Sequence, residues 1–277
     1  MSLTIGSGPL AREAAGTFNA SLSLPDRLIL FDPYLPRVRA LFEGETVVDT
    51  LRAQLLHETG CLPVFYFPLD DVREDLLAPS GKSVDVPAKG RASYRSLRVR
   101  DRTAPDVAWV FEEPVADAAF LSGYISFEWG AIDEWFVEDE QLFGHPRDPY
   151  SRIDVFKSTR HVRVSLWGEL LAESRRPTIL YETALPPRFY LPPDDVRTDL
   201  FESSPTRTRC AYKGSASYWH VRVGDRLAED LVWTYRDPQH DAKPVADQLC
   251  FFNERVDLEV DGEPQAGPRT QWSRDED

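Results

Sequence analysis

Lysine, glutamate and tyrosine recur together in this chain at a fixed spacing. Side chains of these types can hold an anion, move a proton or attack a carbonyl. The segment "CAYKGSASYW" (210–219) sets Lys213 and Tyr218 around Gly214, and "VPAKGRASYR" (86–95) sets Lys89 and Tyr94 around Gly90. Upstream, "YETALPPRFYLPPDDVRTDLF" (181–201) carries Glu182 and Tyr190, as "HETGCLPVFYFPLDDVREDLL" (57–77) carries Glu58 and Tyr66. Downstream, "RVGDRLAEDLVWTYRDP" (222–238) carries Trp233, as "RVRDRTAPDVAWVFEEP" (98–114) carries Trp109.

Both the glutamates and the tryptophans lie 124 residues apart, so the two halves align without a gap between these points. About a third of the paired positions are identical, which marks a tandem duplication. The organisation expected is an N-terminal extension (1–36), a first repeat unit (37–138), a linker (139–160), a second repeat unit (161–262) and a C-terminal tail (263–277). The linker is rich in Gly, Pro and charge, and the tail reads as frayed.

The elements that must position these residues are short. "VRVSLWGELLAES" reads as a hairpin turning near Gly168, and "RRPTILYET" and "RFYLP" read as strands, β-branched and aromatic with prolines at their ends. "ASYWHVRV", "DLVWTY", "QLCFF" and "VDLEV" supply further strands. "PPDDVRTDLF" reads as a helix start capped by Asp194 or Asp195, with Val196 and Leu200 four apart on one face. "DPQHDAKPVAD" and "EPVADAAFLSG" are the other places for a short helix. The fold class is mainly β: two tandem antiparallel sheet units, curved or tented, with one or two short helices each.

Alternation along a strand sorts the candidates by face. Trp219, Val221 and Val223 share a core face, whereas Tyr218, His220 and Arg222 share the other, as do Tyr94 and Arg98 in the first unit. Arg176 and Glu182 fall together, matching Arg52 and Glu58. If the faces bearing these groups converge, each unit has a pocket with a few polar groups among aromatics. The candidate ligand-binding residues are therefore Arg52, Glu58, Tyr66, Lys89, Tyr94, Arg98 and Trp109 in the first unit. In the second they are Arg176, Glu182, Tyr190, Arg207, Arg209, Lys213, Tyr218, His220, Arg222 and Trp233. Arg207, Arg209 and His220 replace Ser83, Asp85 and Ser96, which favours the second unit for an anionic ligand.

Each candidate also has a purely structural reading. Lys-Gly suits a turn with a solvated lysine, and Glu58 and Glu182 suit cross-sheet pairing with Arg52 and Arg176. The tyrosines suit half-buried strand positions, and the tryptophans suit the core. "DDVR" suits a helix start whose Arg answers the Asp at i+3.

The bulk numbers narrow the field. A formal charge of −14 opposes general nucleic-acid binding, which needs clustered Lys and Arg. No stretch is long and apolar enough for a bilayer span, and the first twenty residues lack the pattern of a secretory signal, so a cytoplasmic location is expected. Three cysteines without a Cys-x-x-Cys pair, and five histidines without His-Glu-x-x-His, offer no metal site.

"ETALPPRFYLPPDDVRTDL", followed by "CAYKGSASYW" and "VWTYRDP", resembles the family called domain of unknown function 427, labelled nucleotidyltransferase-like in some schemes. The resemblance covers both units and is better in the second. The first has Val86, Pro87 and Ala88 where the second has Cys210, Ala211 and Tyr212. It implies a β-tent-like sheet, here without the zinc that paired Cys-x-x-Cys motifs hold in related folds. It implies no established reaction.

Three functions stay open. The first is a module binding an unknown small polar or anionic molecule. The second is an enzyme, using Lys213 with Tyr218 or Glu182, or transferring nucleotidyl groups through Asp225 or the Asp194–Asp195 pair. The third is a scaffold that meets a protein partner through Trp129, Trp135, Trp167 and Trp272. No P-loop, Rossmann or serine-hydrolase motif is present, and no cofactor is indicated.

Overall fold

The structure, a computed structural model, describes residues 3–14, 16–21, 23–270 and 272–273. It divides into two compact units, Met1–Asp148 and Pro149–Asp277. The first unit runs β1 (Ile29–Pro33), β2 (Val38–Phe42), β3 (Glu45–Thr50), β4 (Gln54–Glu58), β5 (Val64–Pro68), β6 (Leu77–Val86), β7 (Gly90–Val99), β8 (Arg102–Pro114), β9 (Tyr124–Phe127), β10 (Glu134–Val137) and β11 (Glu140–Leu142). The second repeats the series as β12 (Ile153–Lys157), β13 (Val162–Leu166), β14 (Glu169–Ser174), β15 (Thr178–Glu182), β16 (Arg188–Leu191), β17 (Phe201–Cys210), β18 (Gly214–Val223), β19 (Arg226–Pro238), β20 (Leu249–Phe251), β21 (Asp257–Val260) and β22 (Glu263–Gln265).

Each unit holds a seven-stranded and a four-stranded sheet, with antiparallel pairing between the named strands. The strand orders are β1-β4-β5-β9-β8-β7-β6 with β11-β10-β2-β3, and β12-β15-β16-β20-β19-β18-β17 with β14-β13-β21-β22. Topology is therefore duplicated along with sequence. β1 lies in the stretch expected to be an extension. β11 and β12 lie in the stretch expected to be a linker, and β22 in the expected tail.

The two sheets of a unit share one apolar core. In the first it joins Val38, Ala40 and Phe42 of β2 to Phe65, Phe67, Leu97 and Val110 of the large sheet. Strand β2 alternates buried and half-buried residues along its length, the period-2 signature of a half-covered sheet. The hairpin at Gly168 forms as expected. Trp167 and Gly168 take φ of 53° and 85°, the paired left-handed geometry that matches strand twist.

The large sheet has a second apolar face, and this face bears the site. In the first unit it gathers Leu56, Tyr66, Ala92, Phe111, Ala118 and Leu121, and in the second Leu180, Tyr190, Ala216, Trp233, Tyr235 and Cys250. A short 3₁₀ helix contributes to each cluster: Ala116–Leu121 in the first and His240–Val245 in the second.

The helix expected at "PPDDVRTDLF" does not form as one element. Two single 3₁₀ turns, Pro193–Asp195 and Thr198–Leu200, flank Val196, whose backbone is extended and bridges Ala172. Neither aspartate caps it: Pro192 is at the cap position, and Asp195 accepts hydrogen bonds from Ser174 and Arg176 instead. Arg197 likewise turns to Asp199 and Glu169. No helix among the described residues is long and apolar enough to cross a membrane.

The tryptophans offered as a scaffold surface are engaged within their units. Trp129 and Trp135 stack with ring centres 4.8 Å apart, and Trp135 is buried. Trp167 lies under the Arg226 guanidinium at 3.7 Å, and Trp272 packs on Phe252 and Arg188.

Candidate functional site

The recurring Lys-Gly pair is a backbone requirement and a side-chain placement at once. Gly90 has φ of 107°, and a Cβ there would sit 3.0 Å from the Glu113 carbonyl oxygen and 3.1 Å from Pro114 Cα. Glycine is what lets the head of β7 approach the end of β8. The approach pins the residue before it, because Val115 N–H donates to the Lys89 carbonyl at 3.1 Å. Gly214 repeats the arrangement with φ of 94°, and Gln239 N–H donates to the Lys213 carbonyl at 3.1 Å.

So anchored, neither lysine is solvated. Each side chain is 12% exposed and reaches a glutamate whose side chain is 6% exposed. Lys89 Nζ donates to Glu58 Oε2 at 2.5 Å, and Lys213 donates to Glu182 in the same way. The expected pairing of these glutamates with Arg52 and Arg176 is overturned. Those arginines sit beyond the opposite end of the strand, and bind Asp71 and Asp195. Glu58 has a second cation instead, Arg27, whose Nη1 donates to Oε1 at 3.1 Å.

Strand register lays the aromatic members in one row. Tyr66 faces Ser126, Ser126 faces Trp109, and Trp109 faces Tyr94 across β5, β9, β8 and β7. The second unit repeats the row as Tyr190, Cys250, Trp233 and Tyr218. Within each row the tryptophan Nε1–H donates to the tyrosine hydroxyl at 3.2 Å.

Burial sets the protonation states. It pushes the Tyr66 hydroxyl up to about 12, with the Trp109 hydrogen bond pulling the other way, and it carries Tyr190 well above the usual phenol range. Burial also works against the Lys213 ammonium. The Glu182 carboxylate together with the nearby Cys210 outweighs it, so Lys213 ends above its ordinary value and stays charged.

In the first unit these groups border a recess of about 200 Å³. Its wall combines Glu58 and Lys89 with Tyr66, Tyr94, Trp109 and Phe111, and aliphatic residues including Leu56, Val64 and Val86 complete it. In the second unit the matching positions carry larger or more polar groups: Arg188 for Val64, Cys210 for Val86 and Tyr235 for Phe111. Arg188 forms a two-pronged pair with Glu254 at 2.7 Å, beneath Trp272. Trp233 is buried where Trp109 is half-buried.

The seven candidates of the first unit split clearly: Glu58, Lys89, Tyr66, Tyr94 and Trp109 converge. Arg52 and Arg98 do not join them. In the second unit Glu182, Lys213, Tyr190, Tyr218 and Trp233 cluster, but the cations expected to distinguish this copy lie elsewhere. Thr208 meets the Tyr218 hydroxyl at 2.7 Å, so alternation sends its neighbours Arg207 and Arg209 to the opposite face, where both are exposed. Arg207 donates to the carbonyls of Ser204 and Thr206. His220 Nδ1 accepts the Asp230 N–H at 3.0 Å, and Arg222 pairs with Glu202.

Phe111, Tyr235 and Arg27 were not singled out from the sequence, and Val86 and Cys210 stood out only as a difference between the copies, not as site residues. Phe111 and Tyr235 sit two residues beyond the tryptophans, so strand alternation alone would have placed them on the site face. Arg27 carries no such signal, because it precedes the repeat.

A family model described as a domain of unknown function, DUF427, matches residues 31–138 and again residues 154–262. No curated protein matches the chain significantly.

Proposed function

The chain belongs to the DUF427 family and carries its domain twice; on that footing we propose that it binds a small molecule in the recess of the first repeat. The observation that carries this reading is the joining, in one hollow of about 200 Å³, of the Lys89–Glu58 ion pair with the rings of Tyr66, Tyr94 and Trp109. Ligand sites are mostly apolar hollows with a few fixed polar groups, and this one has that make-up. The preference moves from the second repeat to the first because Arg207, Arg209 and His220 are engaged or turned away from the second site.

Covalent lysine chemistry has less support. An attacking amine must be neutral, and Glu182 favours the ammonium form of Lys213. For nucleotidyl transfer, Asp195 is occupied by Ser174 and Arg176, while the neighbouring Asp194 side chain is 89% exposed.

Thermal unfolding of the full chain against nucleotides, sugar phosphates, keto acids and ring-bearing acids is the test. A true ligand at a hundred times its dissociation constant raises the midpoint by roughly 5 °C, and Lys89→Met removes the rise. A broad library in which no member shifts the midpoint overturns the proposal.

A further inference from the structure

Taking the first-repeat recess as the ligand site, and resting on that reading, we infer that its ligand is a small monocarboxylate carried on an aromatic ring. The first support is a surplus of hydrogen-bond donors. Lys89 Nζ has three N–H groups and, among the described residues, one protein acceptor, Glu58. The Tyr66 hydroxyl accepts from Trp109, and its own proton has no protein acceptor among the described residues. The Tyr94 hydroxyl has no protein partner among them at all. By contrast, each oxygen of the one carboxylate in the wall already holds a cation: Lys89 on Oε2 and Arg27 on Oε1. A ligand that completes this set must bring acceptors.

The second repeat supplies a control within the same chain. There the Tyr218 hydroxyl is met by Thr208 at 2.7 Å, and the Cys210 thiol adds to the Glu182 carboxylate in favouring the Lys213 ammonium. The first repeat has Val84 and Val86 at those two positions, side chains that can accept nothing. The copy that gives its outer tyrosine a hydroxyl partner also has the more deeply buried tryptophan. The copy that leaves that tyrosine open has the recess.

Charge and size narrow the ligand further. Two cations around Glu58 leave one positive charge in excess, whereas Ser151 stands where Arg27 would repeat and the second pair has no such second cation from that position. One excess charge plus two hydroxyl donors suits a monoanion. A phosphate dianion would be left with an unpaired charge in an aromatic hollow, which is costly. About 200 Å³ falls below the ~300–1,000 Å³ of sites for drug-sized compounds, so the body is a single ring with a short acid arm. Aromatic walls on several sides favour a flat, polarisable body over a flexible chain.

The test is calorimetric titration of the full chain with phenylacetate, benzoate, benzamide and inorganic phosphate. The acids should bind, benzamide at least about tenfold more weakly, and phosphate not measurably. A double substitution, Val84→Thr with Val86→Cys, imports the second repeat's side chains at nearly constant volume and should weaken the acids about tenfold. Binding of benzamide as tight as benzoate, or binding of phosphate in preference to both acids, overturns the carboxylate assignment. So does failure of both acids when other library compounds still stabilise the chain. In each of those cases the recess remains a ligand site. Failure of the acids together with every library compound defeats the binding reading itself.

Discussion

Lys213 and Glu182, 31 residues apart in sequence, form an ion pair with almost no access to water, and Lys89 and Glu58 form its duplicate at the same separation. A buried pair gains little over a well-packed apolar substitute, but losing one partner strands the other charge. Glu182→Gln should therefore cost about 3–5 kcal/mol in urea unfolding of the second unit. Glu182→Gln with Lys213→Met should recover most of that loss. A single substitution that costs under about 1 kcal/mol would mean that solvent reaches the pair.

The alkaline limb of the stability curve should be steep for the same reason. Lys213 titrates above its ordinary value in the fold, so its contribution is complete below about pH 10.4, the unfolded value, and is lost as pH rises through the folded one. Tyr66, raised by burial to about 12, acts in the same direction: its contribution is whole below about pH 10 and gone near pH 12. Tyr66→Phe should flatten the fall between those values. It should also remove one late-ionising phenol from a tyrosinate absorbance titration.

On the acid side the ion pairs of Asp71 with Arg52 and Asp195 with Arg176 take over. Hydrogen bonds from the arginines hold both carboxyls below the usual carboxylate range. Their contribution is present above about pH 3.9 and is lost as pH falls through the folded values. Melting midpoints of Asp195→Asn should converge on those of the unsubstituted protein as pH drops. Equal separation of the two at every pH would assign the effect of Asp195 to packing alone.

Duplication and strand alternation were legible in the sequence because they obey periods of 124 and two residues. Alternation placed Tyr94 and Tyr218 off the core face, but their meeting with Tyr66, Tyr190 and the tryptophans depends on pairing between strands distant in sequence, which no period encodes. The arginines were misplaced because a strand position fixes a side of the sheet and not a partner. Arg52 sits beyond the end of β4 opposite to Glu58, where the turn bearing Asp71 passes close to it. Arg207 and Arg209 follow a bulge between Ser203 and Arg207, where the register shifts. A helix was expected at "PPDDVRTDLF" because Val196 and Leu200 fit a helical spacing. The bridge from Val196 to Ala172 draws that backbone into extension instead. The difference between the two sites was the least visible, since Val84 and Val86 stand where the second copy has Thr208 and Cys210, and apolar side chains in a strand give no signal of their own.

Gly90 and Gly214 give a backbone test of the site. Alanine at Gly90 would take an unfavourable positive φ and drive its Cβ to 3.0 Å from a carbonyl oxygen, a cost of about 1–3 kcal/mol. The strain falls on the turn that carries Lys89. Gly90→Ala should thus weaken any ligand of the first repeat by more than Gly44→Ala, where φ is also positive but a Cβ meets nothing within 4 Å. Equal losses from the two would separate the recess from the Lys-Gly turn.

Within the C-terminal stretch expected to fray, Thr270 and Trp272 rest on another buried pair. The Glu254 side chain is 0% exposed and accepts both prongs of Arg188 at 2.7 Å, while the Thr270 hydroxyl donates to the same carboxylate at 2.6 Å. Trp272 closes over Arg188 at 5.4 Å and over the Phe252 ring at 6.3 Å. Removing the segment from Gly267 onward would expose Arg188 and Glu254 together, so the pair survives in water at reduced strength and the loss should be modest, about 1–2 kcal/mol. Glu254→Gln is the harsher change, because it leaves the guanidinium enclosed by Trp233, Phe252 and Trp272 without its counter-charge, at a cost of about 3–5 kcal/mol. Urea unfolding of the two variants decides the point. If truncation costs as much as Glu254→Gln, the segment contributes through its own packing and not by shielding the pair.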